Sequence, residues 1–158
     1  MIDGDELAGV VDQFGALTPA ELERAVEEVA FRAGETVGGE AFAEAVDEAE
    51  RRLQVVAVDR EGDTLYVAGP GALPRLPTEG ENLPHVLDAP ERTVDREAVA
   101  EAAEGRLREA AARAVGAGDR EQVELLLDAT YDLEAWAPTA DASGVRARLD
   151  DALAAMEG

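Results

Sequence analysis

Few side chains in this chain of 158 residues are equipped for nucleophilic or thiol chemistry. Cysteine is absent, His85 is the single histidine and Ser143 the single serine. A serine or cysteine nucleophile needs a base within hydrogen-bond reach, and this inventory argues against any such pair. The missing thiols exclude disulfides, thiol catalysis and thiolate metal sites, and leave the redox compartment undetermined. Ser143 reads as a helix cap. His85, in a proline-rich stretch far from any second histidine, reads as a surface residue. Paired carboxylates do acid and base work, yet among 36 Asp and Glu residues any pairing is cheap to find and has no specificity. The expectation is a protein that is not an enzyme, with no catalytic residue, cofactor or metal.

Two stretches imitate ligand loops. Asp59, Glu61 and Asp63 stand where a calcium loop has its first ligands, but Thr64 replaces the required glycine and Pro70 the closing glutamate. GPGALP, from Gly69, imitates a dinucleotide fingerprint, but Pro74 stands at its third glycine and no helix start follows to receive a pyrophosphate. A solvated hairpin loop and a turn account for both.

Arginines remain as contact residues. With the third helix in a DNA major groove and a hairpin on the backbone, Arg51, Arg52 and Arg60 would meet phosphates. Against them stand Glu40, Glu44, Asp47, Glu48 and Glu50, which leave that helix at −3. Acidity counts for less at molar salt, where counterion release is weak for every protein. DNA binding is therefore disfavoured but open, and an unidentified protein partner or self-association is preferred. The anchors for such a partner are an alanine seam on the fourth long helix and Trp136 or Tyr66, although a Trp at a helix end is more often core.

The elements that position these residues follow from apolar spacing. Leu7, Val10, Val11 and Phe14 predict a helix from Asp5 to Phe14, stopped by Gly15. Thr18, Pro19 and Glu21 form a capping box with proline at the first helical position, and Leu22, Val26, Val29 and Ala33 continue as a stripe. After GETVGG a third helix runs from Glu40 to Leu53 with Phe42, Val46, Ala49 and Leu53 inward. VVAV and TLYVA, joined by DREGD, make the only hairpin. Five of the seven prolines lie in GPGALPRLPTEGENLPHVLDAP, which blocks helices and central strands and reads as a surface connector pinned by Leu73, Leu76, Leu83, Val86 and Leu87.

The last third predicts three helices. The first is capped by Asp95 and carries Val99, Ala103, Leu107, Ala110 and Ala114 inward. The second has a capping box at Asp119 and Gln122 and turns Val123, Leu126, Leu127 and Tyr131 to the core. The third, from Ser143 to Met156, presents Val145, Leu149, Leu153 and Met156. The fold class is mainly α with one β-hairpin: a winged-helix-like part over 1–69, a proline-rich connector over 70–94 and a three-helix part over 95–158, free to pack as one domain.

Charge sets the solvent. The formal net charge is −22, and all 14 basic residues are arginine. Such self-repulsion opposes a compact state in dilute buffer, whereas at molar salt the Debye length is ~3 Å and the repulsion is screened. A salt-adapted, halophilic cytoplasm fits this, and a GC-rich genome alone also favours Ala, Gly and Arg. No apolar run approaches the ~20 residues that span a bilayer, so a cytoplasmic protein without membrane contact is expected.

The opening DELAGVVDQFGALTPAELERAVEEVAFRAG, in the order helix, helix, helix, hairpin, resembles a haloarchaeal domain family of unknown function. The resemblance implies an archaeal origin and a winged-helix core, and brings no site residue with it.

Overall fold

The computed structural model describes residues 2–157 and divides into two compact units, Met1–Asp95 and Arg96–Gly158. As expected, the chain is mainly α with one β-hairpin. In the first unit the helices are α1 (Gly4–Phe14), α2 (Pro19–Arg32) and α3 (Gly39–Arg51), followed by strands β1 (Val55–Arg60) and β2 (Asp63–Ala68). The connector then folds a 3-10 turn at Thr78–Gly80 and a short α4 (Leu83–Val86).

Local chemistry starts both first helices. Asp3 and Glu6 exchange hydrogen bonds with each other's backbone N–H at the head of α1, and Thr18 and Glu21 do so at the head of α2. Gly15 ends α1 at φ 85°, a conformation that suits glycine. The α1 face is wider than the stripe: Ala8 and Gly9 are buried beside Leu7, Val10, Val11 and Phe14. The connector causes this. The Arg75 N–H donates to the Asp5 carbonyl at 3.0 Å, Gln13 Nε2 donates to the Gly80 carbonyl at 3.0 Å, and a Cβ on Gly9 would lie 2.4 Å from the Arg75 carbonyl oxygen.

Several side chains stand differently from their expected places. Ala33 is exposed, because α2 ends at Arg32 and the stripe turns instead through Ala25 and Ala30. Leu53 is buried but lies beyond α3 at φ 56°, where its N–H and that of Gln54 bond back to the Glu50 and Ala49 carbonyls. That is a Schellman end with leucine in the glycine position. Of the connector pins, Leu83 is fully buried and Leu87 packs on the core, while Leu73, Leu76 and Val86 are exposed. Backbone bonds and Arg32, whose guanidinium donates to the Glu79 and Glu81 carbonyls, hold that segment instead. Proline does not block α4, because Pro84 sits in its first turn, where its missing N–H has no partner to lose.

The hairpin pairs antiparallel from Val55↔Ala68 to Arg60↔Asp63, with Glu61 and Gly62 both at positive φ in a two-residue turn. Leu17, between α1 and α2, adds one further rung by pairing with Tyr66.

The second unit is α5 (Arg96–Ala117), α6 (Arg120–Trp136) and α7 (Ser143–Glu157). Arg96 stacks on Trp136, and Arg120 pairs with Glu157 at 2.8 Å, so α6 runs antiparallel to both neighbours. The α5 seam uses Ala111 rather than Ala110. On α6 the core takes Ala129, Thr130 and Leu133, leaving Leu127 half-buried and Tyr131 exposed under the Arg146 guanidinium. Asp119 caps α6 without the reciprocal Gln122 bond. Ser143 is the first residue of α7; the N–H groups there are met by Asp141 and Glu134.

Candidate functional site

The arginines expected to meet a partner are held by their own chain. At the C-terminal end of α3, Glu48 binds both Arg51 at 3.1 Å and Arg52 at 2.7 Å. The Arg52 hydrogen bond holds the Glu48 carboxyl below its ordinary value. The exposed residues upstream on this helix are Gly39, Glu40, Ala43, Glu44 and Asp47. Arg60 is not gathered with this pair: it closes β1, about 16 Å along the strand from Val55 at the usual rise per residue. There it donates to the Thr93 carbonyl at 3.4 Å and, with Glu61, Asp63, Leu65 and Arg92, lines a cleft of about 240 Å³.

A second arginine in that cleft, Arg92, makes the most enclosed ion pair of the first unit. Its guanidinium grips the Glu21 carboxylate with both ends, at 2.6 and 3.3 Å, and also donates to the Ala16 carbonyl at 3.2 Å. Glu21 keeps its capping bond from the Thr18 N–H. Burial pushes the Glu21 carboxyl up, but Arg92 and Thr18 together outweigh it and hold the group below its ordinary value. The arrangement ties the head of α2 to the end of the connector.

A second enclosed set stands in the other unit. Arg146 of α7 binds Glu134, donates through Nε to Thr130 Oγ1 at 3.1 Å and stacks over Tyr131 at 4.0 Å. Thr130 is fully buried and donates its own hydroxyl hydrogen bond to the Leu127 carbonyl at 2.6 Å. Arg146, followed by the Ala142 N–H, holds the Glu134 carboxyl below its ordinary value.

A further cleft of about 220 Å³ is lined by Val26, Val29, Ala30 and Val37 together with Glu6, Glu35 and Glu79. Asp59, Glu61 and Asp63 form a hairpin turn, and among the described residues no group of three or more acidic, histidine or cysteine side chains is arranged to hold a metal. His85 is exposed on α4. Neither aromatic anchor is bare: Trp136 is half-buried under Arg96, and Tyr66 packs on the core. Arg92 and Arg146 are the residues that sequence reading misses. Each meets its acid across a break between elements, and no spacing rule covers that.

Fold and site together define a mainly helical protein with one β-hairpin, whose enclosed arginines join its own elements. Residues 5–154 match the family of unknown function DUF7109, and the chain belongs to that family. No curated protein and no solved structure matches it. Among the described residues no helix is long and apolar enough to cross a membrane.

Proposed function

We propose that the chain is a non-enzymatic protein-interaction module of a halophilic, archaeal cytoplasm, with a winged-helix-like first unit. The observation that carries this reading is the pairing of Arg51 and Arg52 with one carboxylate, Glu48. A helix that enters a major groove needs cations free to replace counterions, and the rest of the exposed α3 face is acidic, alanine or glycine. The order α1, Leu17 rung, α2, α3, β1, β2 supports the winged-helix likeness. The link of residues 33–38 between α2 and α3 is longer than a helix-turn-helix turn, which favours a borrowed shape over a DNA reader.

The second reading, DNA contact by the hairpin, rests on Arg60, which no carboxylate binds among the described residues. Reciprocal co-purification in molar KCl, beside a DNA retardation assay in the same buffer, decides between them. A protein held stoichiometrically through both purifications, with no DNA shift, is the expected result. A DNA shift that Arg60→Glu abolishes would reverse the preference.

A further inference from the structure

Four times in this chain a glutamate stands four residues before an arginine on a helix, the orientation that closes best. Three pairs are closed: Glu28–Arg32 at 3.1 Å, Glu48–Arg52 at 2.7 Å and Glu104–Arg108 at 3.2 Å. The fourth, Glu109 and Arg113 on α5, is open. Among the described residues, neither these two nor Arg106 has an ion-pair or hydrogen-bond partner, and both arginines are exposed.

Spacing puts Arg106, Glu109 and Arg113 on one flank of α5 with Ala102, Gly105 and Gly116. A Cβ at Gly105 or Gly116 would meet no atom within 4 Å, so no close approach within the second unit explains Gly105 in the middle of a 22-residue helix, where alanine is the more stable choice. Glu97, Glu101 and Glu104 lie toward the other flank. On a chain of −22, this flank carries small residues and a net positive charge.

We propose that the flank is the contact between two copies of the chain, packed antiparallel about a two-fold axis. The line reads arginine, glutamate, arginine. Reversed against itself, it sets Glu109 of each copy against an arginine of the other, so one symmetry operation makes two ion pairs. Gly105 and Gly116 let the two backbones approach. At molar salt the exposed pairs set register and add modestly to affinity, and close packing supplies most of it. The proposal names one partner for the binding role above and rests on that reading.

Light scattering on the full chain in molar KCl, over a range of concentrations, tests it. The expected mass is twice 16.6 kDa. Gly105→Gln fills the open space and favours the helix, so it should give a monomer with unchanged far-UV circular dichroism. Glu109→Arg should move the monomer–dimer midpoint to about tenfold higher concentration, and adding Arg106→Glu with Arg113→Glu should restore it. A wild-type monomer at every concentration, a Gly105→Gln dimer, or a triple variant that does not recover would each overturn the contact. A chain that stays monomeric yet holds a different protein through reciprocal purification removes the dimer alone and leaves the binding reading standing.

Discussion

Glu21 serves two purposes with one carboxylate: it completes the α2 capping box and it receives Arg92 from 71 residues away. Its side chain is 11% exposed, so removing Arg92 leaves a largely buried charge without its main partner. Arg92→Ala should cost about 1–3 kcal/mol, measured by urea unfolding in molar salt, where a non-ionic denaturant keeps the screening constant. The pH dependence has a definite sign. The Glu21 carboxyl is held below its ordinary 4.5, so the folded state binds fewer protons there than the unfolded chain, and its contribution is complete above 4.5 and lost as pH falls through the lower folded value. The stability gap between wild type and Glu21→Gln should be constant above pH 4.5 and narrow below it. A gap that widened in acid would contradict the pairing. Thr18 and Glu21 are legible as a cap because the signal is local; Arg92 is not, because a lone arginine between Glu91 and Thr93 carries no mark of its partner.

Among the elements, the junction of α3, β1 and the connector shows where spacing reaches its limit. The apolar period carries the third helix on to Leu53, and Leu53 is indeed buried, yet the chain has already turned at Arg52. Burial and helix membership part company there, since a Schellman end can place a hydrophobic residue inward from an αL backbone. The single Leu17–Tyr66 rung escapes for another reason: one bridge has too few residues to alternate. The two glycine-bearing turns around the hairpin can be told apart by contact. Gly62 has φ 87° and open space, so Gly62→Ala should cost about 1–2 kcal/mol from backbone strain alone. Gly71 packs against the turn that follows α3, where a Cβ would stand 2.0 Å from the Arg52 carbonyl oxygen and its N–H bonds to the Leu53 carbonyl at 2.8 Å. Gly71→Ala should therefore cost more than about 2 kcal/mol, since backbone must move. Equal midpoints for the two variants in urea would show that the connector does not seat on that junction.

Across the whole molecule, charge and core size set the response to salt, and they differ between the units. The first unit carries −15 over Met1–Asp95 and the second −7 over Arg96–Gly158. Among the described residues, sixteen buried Leu, Val and Phe side chains lie in the first and seven in the second, whose core is otherwise alanine and Thr130. Repulsion between exposed charges is about 1 kcal/mol even at 4 Å in water, and less at ordinary spacing, while each large buried side chain contributes about 1.5–3 kcal/mol. Ordering each residue also costs about 1–2 kcal/mol, so the measure is core per residue: sixteen large side chains serve 95 residues in the first unit and seven serve 63 in the second, and the sparser, alanine-rich unit should fail first as salt is withdrawn. Trp136, the single tryptophan, lies in that unit and is half-buried against Arg96, which makes its emission a local reporter. On titration from molar KCl into dilute buffer, tryptophan emission should shift red at a higher salt concentration than the midpoint of far-UV circular dichroism, which sums both units. Coincident midpoints would mean that the units unfold together, and a fold retained in dilute buffer would remove salt screening from the account of its stability.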